Sequence, residues 1–186
     1  MILLSDKFLG SIGIFALGNK TTKSELCGDV DSKVNWYMKL KKDEHISKLT
    51  IKSGFVVDGF VFEVKNKTTG NSYSQKFSGP GENEDLITLE DDEVITQIDG
   101  VYGDYNKEGI KIALIKIYTN LHPEGMEYGN LDDVTNTENF SYTVPSMNSS
   151  IVGFYGSYGL LLNSFGIIDE TKEFHKYGPY GRPTFA

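Results

Sequence analysis

Three stretches of this chain repeat one pattern: a short β-like run, a glycine-bearing break, and a second run rich in aromatic or aliphatic residues. The first is 49–62, the second 95–103 resuming at Gly109-Ile110, and the third 151–162. With Gly54, Gly100 and Gly153 as register marks, the spacing is about 50 residues, within the range of repeated supersecondary units. Three similar β units in one domain imply pseudo-threefold symmetry.

The runs themselves read as strands. Val34–Leu40 and Ile46–Lys52 alternate apolar and polar residues, the period of a half-buried strand. Phe60–Val64 and Ser72–Phe77 flank Lys65–Asn71, a hairpin-like turn with Gly70 near its end. Further runs cover 86–89, 94–98, 110–118, 140–144, 151–155 and 160–168. Only Ile110–Tyr118 resembles a helix, and its β-branched residues and strict alternation favour a strand. Ten to twelve turn-separated strands predict an all-β sandwich, barrel or prism. At 186 residues the chain is one domain by length, and 39% hydrophobic residues suffice for a packed core.

Charge narrows the function. The net charge of −8 argues against nucleic acid and against anionic membranes. No apolar run approaches the ~20 residues needed for membrane insertion. The N-terminus lacks the basic and continuous apolar regions of an export signal, so the cytoplasm is the expected location and the four Asn-x-Ser/Thr triplets are read as unused. Cys27, the single cysteine, excludes an internal disulfide framework and is expected to be a partly buried, inert thiol.

Catalytic constellations are absent: there is no phosphate-binding Walker loop, no H-E-x-x-H and no G-x-S-x-G elbow. His45, His122 and His175 lie in polar or turn contexts and each reads as a surface residue. Glu90–Glu93 lacks calcium-loop spacing and reads as a solvated turn that discourages edge pairing. Trp36, in an alternating strand, is expected in the core. The chain is therefore expected to be non-enzymatic, with no cofactor and no metal.

Gly-rich loops carry the remaining signal. Adjacent sugar hydroxyls need a carboxylate or amide to accept hydrogen bonds, and backbone N–H donors aimed at one spot by a tight loop. A G-x-x-x-D sequence supplies both. Gly54-Phe55-Val56-Val57-Asp58 fits in full, and Gly159-Leu160-Leu161-Leu162-Asn163 fits with Asn in the last place. The alternative reading of the first is a plain turn in which Asp58 bonds its own backbone.

Lys48–Phe62 resembles the first repeat of the jacalin-related lectins, of mannose-binding type. Ile151–Gly166 is similar to that family's closing hairpin, Ile115–Asn120 to its strand ending in Thr-Asn, and Phe140–Pro145 to its F-x-L-P strand, all in the family's order. The resemblance covers roughly residues 30–168. It implies a β-prism I fold: three four-stranded Greek-key sheets around a pseudo-threefold axis.

The resemblance also implies sites. The family's common sugar site joins a Gly-rich N-terminal segment to the last hairpin, here Gly159, Leu160, Leu161 and Asn163. Asn keeps one acceptor but loses the charge, and Cys27-Gly28-Asp29-Val30 lacks the usual double glycine. A second site, found in some mannose-binding members, pairs the first G-x-x-x-D with a downstream glycine loop. Gly54 and Asp58 match the first half; Ser78-Gly79-Pro80-Gly81-Glu82 stands at the second, although Pro80 has no N–H to donate. In this better candidate Asp58 accepts from two hydroxyls, while the amides of Phe55, Val56, Gly79 and Gly81 donate.

Residues 1–28 are expected to be an N-terminal extension, and 29–186 the lectin domain, with 169–186 as a closing segment. Tyr177-Gly178-Pro179-Tyr180-Gly181 resembles a family motif usually placed earlier. It is expected either to close the first sheet from the far terminus or to open another lectin-like unit. Jacalin-like domains also occur as appendages on larger proteins, including some fungal proteins classed as metalloproteases. The expected partners are mannose- or glucose-type glycans, with self-association into a homo-oligomer allowed. The alternative is a degenerate lectin fold that serves as a protein-interaction or targeting module.

Overall fold

A computed structural model describes the backbone of residues 12–80 and 83–180, with side chains from Gly18 to Lys172. In chain order the strands are β1 (Ile12–Lys23), β2 (Cys27–Gly28), β3 (Trp36–Lys39), β4 (Glu44–Ser53), β5 (Val57–Asn66), β6 (Ser72–Ser78) and β7 (Asn83–Thr88). They continue with β8 (Ile95–Tyr105), β9 (Ile110–Thr119), β10 (Met126–Gly129), β11 (Val134–Thr143), β12 (Ser149–Tyr158) and β13 (Leu162–Tyr180). No helix among the described residues is long and apolar enough to cross a membrane.

Three antiparallel sheets result, in the orders β6-β5-β4-β7, β10-β9-β8-β11 and β1-β13-β12-β3, the last with short β2 also paired to β13. Each sheet is centred on one hairpin: β4–β5, β8–β9 or β12–β13. The first two sheets draw their outer strands from the residues that follow. The third draws β1, β2 and β3 from the N-terminal end, so the chain's two ends meet in one sheet. Tyr177–Tyr180 continues β13 against β1, with Ile14 opposite Tyr177 and Ile12 opposite Tyr180; Gly181 lies outside the described residues.

The alternating strands turn their apolar residues inward, as their period requires. On β9 Ile112, Ile115 and Ile117 are buried while Lys116 is half-buried. The sheets meet over aromatic rings. Phe60 packs against Trp36, Phe154 and Phe165 with centroids 6.0, 6.4 and 6.1 Å apart. Phe140 and Tyr142, from the remaining sheet, each stand edge-on to Phe165 at 5.6 Å. Such rings bury large apolar areas and favour tilted contacts, so they bind the three sheets into one core.

Several expectations need correction. Gly54 lies in the β4–β5 loop, but Gly100 and Gly153 sit within strands, opposite Ile115 and Ile168. The counterparts of Gly54 are therefore Gly159 and the Tyr105–Gly109 turn. A strand glycine that admits a neighbour's backbone looks, in sequence, like a turn glycine. The threefold repeat stands, but its three glycines are out of phase, one in a loop and two within strands. His45 is not a surface residue, being only 6% exposed. Glu93 is also buried, accepting from Thr119 Oγ1 at 2.5 Å and from the Glu90 amide at 3.1 Å. Asn120 accepts from the Val94 amide at 2.8 Å, so the Thr-Asn pair fastens the 90–94 turn to the end of β9.

Candidate functional site

Two hairpin loops share one geometry. The Gly54 amide donates to the Val56 carbonyl at 3.0 Å, and the Gly159 amide to the Leu161 carbonyl at 3.0 Å. This three-residue turn lifts the central side chain outward, leaving Phe55 58% and Leu160 72% exposed. Val56 is buried and pins its loop to the core, whereas Leu161 is half-buried. The amides of Phe55 and Val56 have no backbone partner among the described residues.

Asp58, the second residue of β5, is only 5% exposed, and its side chain makes no hydrogen bond among the described residues. Burial pushes its carboxyl up to about 6, with the charge of Lys52 opposing the shift. Lys52 is itself paired, to Glu84 Oε1 at 2.5 Å. A Cβ at position 54 would lie 3.8 Å from Asp58 Oδ2, so glycine there leaves this face of the carboxylate uncovered. The plain-turn reading, in which Asp58 bonds its own backbone, therefore loses its support.

The glycine loop reaches Asp58 through Gly59. Its φ is +150°, and a Cβ there would overlap the Phe77 carbonyl and Ser78, so only glycine lets the end of β6 approach. The Gly79 amide then donates to the Asp58 carbonyl at 3.3 Å. That amide was expected to donate to a ligand; the chain already uses it to hold the loop. Gly81, the other donor expected from this loop, lies outside the described residues. Gly79 also abuts the second loop, since a Cβ on it would overlap the carbonyl of Leu160. Gly54, Phe55, Val56, Asp58 and Gly79 thus form one cluster, with Gly159 and Leu160 beside it.

Asn163 occupies the place of Asp58 in the second loop. Its carbonyl accepts from the Asp29 amide at 2.9 Å, and β2 pairs Gly28 with Ser164 and Cys27 with Phe165. The N-terminal segment therefore docks beside the last hairpin without a double glycine. The pairing brings Asp29 to the second loop, a placement of which its immediate sequence neighbourhood carries no sign. Lys111, buried and donating to the carbonyls of Glu108 and Ile110, lies close enough for the Asp29 charge to act on it. Cys27 is sealed off: Sγ contacts the Phe165 carbonyl at 3.2 Å, and burial pushes the thiol up to about 12. Among the described residues there is no cluster suited to a metal ion.

The fold agrees with solved lectins. A mannose-binding jacalin-related lectin from Ananas comosus superposes with a TM-score of 0.59 at 23% identity, over 86% of this chain and 99% of that one. The Calystegia sepium agglutinin gives 0.65 at 22% identity, over 82% and 98%. A Malaysian banana lectin gives 0.63 at 21%, over 80% and 97%. At these identities the likeness establishes the β-prism fold. The sequence model of the jacalin-like lectin domain matches residues 24–168, most of the chain. Its hairpin-centred three-sheet architecture and this match together place the chain in the jacalin-like lectin domain family.

Proposed function

We propose that the chain is a non-enzymatic carbohydrate-binding domain that holds mannose- or glucose-type glycans at the Gly54–Asp58 loop. The observation carrying this reading is the Asp58 carboxylate, nearly buried, open at Gly54 and without a protein hydrogen-bond partner among the described residues. A largely buried carboxylate that stays open on one side offers two acceptor oxygens, which suits a pair of adjacent sugar hydroxyls. The amides of Phe55 and Val56 would donate to the same ring, and the exposed Phe55 side chain would cover its apolar face. Solved structures that share the fold include a mannose-binding lectin and a complex of artocarpin with mannopentose, which supports this ligand class. Titration of the chain and of Asp58→Ala with mannose and glucose tests the assignment. Wild-type binding that survives in a folded Asp58→Ala protein would overturn it.

A second reading, the interaction module, is favoured by two observations: Phe55 and Leu160 present exposed apolar tips, and Gly79 has spent its amide on Asp58. A glycan-array screen separates the two. Binding to no glycan would leave the interaction module as the account.

A further inference from the structure

β1 and the last part of β13 run past the prism together. β12 supports β13 only as far as Thr171, opposite Ser149, with a last backbone bond from the Lys172 amide to the Asn148 carbonyl at 3.1 Å. Beyond it, Ile12–Gly18 and Glu173–Tyr180 pair with each other alone among the described residues. They form a two-stranded arm of about 20 Å, from Gly18 opposite Glu173 to Ile12 opposite Tyr180. β13 starts beside the Gly159 loop and runs away from it, so the arm stands at the far end of the prism from Gly54 and Gly159. It also lies outside residues 24–168, the part that matches the lectin family.

A two-stranded ribbon is marginal in water, and its open edges invite another strand. Here the two edges differ. That of β13 carries Glu173, Lys176 and Pro179, and it bulges between Tyr177 and Tyr180, where β1 steps only from Ile14 to Ile12. Charges, proline and a bulge are the usual guards of an edge strand. The β1 edge, Ile12-Gly13-Ile14-Phe15-Ala16-Leu17-Gly18, has no charge and no proline, and the first lysine comes at Lys20. Ile12, Ile14 and Phe15 favour an extended chain. Among the described residues no strand pairs with β1 on that side.

We infer that the β1 edge of this arm is an interface for a second copy of the chain. Identical strands pair antiparallel about a twofold axis perpendicular to their sheet. Directly opposed residues share a face, so the axis must pass through a residue rather than between two. Phe15 is the centre of Ile12–Gly18. With the axis there, Ile12 stands opposite Gly18 of the second copy, Gly13 opposite Leu17, Ile14 opposite Ala16 and Phe15 opposite its own counterpart. Every pair is uncharged, and Lys20 falls beyond the paired stretch. Four strands result, in the order β13-β1-β1-β13, enough to sustain a sheet where two are not. Its outer edges are the guarded ones, so assembly closes at two copies. The prisms then sit at opposite ends of the shared sheet, with their Gly54 and Gly159 loops turned outward. Such a dimer presents its loop ends in two directions, although the pairing itself does not rest on the sugar assignment.

Sedimentation of the intact chain should show a dimer with a dissociation constant of about 10 µM or lower. Ile14→Lys/Ala16→Lys sets lysines opposite one another across the axis and should weaken it by about tenfold or more, with circular dichroism to show that the variant is folded. Phe15→Cys reads the register directly. Opposed positions have Cα atoms about 4.5–5.5 Å apart, within disulfide range. The native thiol, Cys27, is buried. Mild oxidation should therefore link Phe15→Cys into covalent dimers. Leu17→Cys should stay unlinked, because the two copies of position 17 lie about 14 Å apart. A chain that remains monomeric at about 100 µM would overturn the proposal. So would a folded lysine variant that dimerises as before, or Leu17→Cys linking as readily as Phe15→Cys. No sugar enters these measurements, so their failure leaves the mannose titration untouched, and the converse holds.

Discussion

Gly79 is packed so closely against the carbonyl of Leu160 that no side chain fits between them. The contact joins the loop after β6 to the tip of the last hairpin, so loops from two different sheets form one continuous surface at this end of the prism. Gly79→Ala should therefore disturb both. Overpacking of this kind costs about 1–3 kcal/mol. Thermal unfolding should show a lowered midpoint, and amide signals of Phe55 and Leu160 should move together; movement of only one would show the loops to be uncoupled.

Asp58→Asn keeps the shape of the side chain and removes its charge. It should weaken mannose binding by about tenfold or more, since a hydrogen bond to a charged group contributes about 1.5–3 kcal/mol. Stability should move the other way. At pH 7 the wild type carries the cost of ionising a buried carboxyl, which Asn does not, so the variant's midpoint should equal or exceed that of the wild type. Calorimetry beside the titration checks both signs.

The pH dependence follows from the same group. Asp58 titrates at about 6 in the folded protein, above the ordinary carboxylate value of 3.8. A raised acid contributes stability that is fully present below the unfolded value and lost as pH rises through the folded one. Its contribution to the fold should thus fall between about pH 4 and 6. Mannose affinity should rise over the same window, because the ionised carboxylate accepts from two hydroxyls. An affinity flat from pH 5 to pH 7 would contradict Asp58 as the acceptor.

Asn163→Asp restores a charged acceptor in the second loop and should strengthen mannose binding, by up to about tenfold. Asp29, held beside Asn163 by β2, places a like charge nearby, so the gain should be larger in an Asp29→Asn background. Titration of the two variants and their combination measures the coupling directly. Additive effects would mean that Asp29 faces away from the loop.

Phe60 contacts Trp36, Phe62, Phe154 and Phe165 at the meeting of the sheets. Phe60→Ala should cost about 3–5 kcal/mol. Because the core is shared, denaturant unfolding should remain a single transition with an earlier midpoint, and two transitions would show that the sheets fold separately.

Much of this was legible in the residues. Alternation along Ile46–Lys52 and Ile110–Tyr118 set strand identity, because side chains on a pleated backbone alternate faces whatever lies beyond them. The Gly54–Asp58 motif marked the candidate loop for a similarly local reason: the turn closes within five residues. What the sequence could not decide was every property that depends on a distant neighbour. Gly100 and Gly153 are strand glycines because Leu114 and Met38 carbonyls press against them. Gly79 spends its amide on Asp58, and Asp29 arrives at Asn163 through a pairing across more than a hundred residues. His45 sits in polar sequence, and it is buried because β5 pairs with it at Lys65 and the 90–94 turn brings Asp91 against its ring. Local pattern sets which way a side chain points on its strand; what stands opposite it is chosen by how the three sheets close on one another.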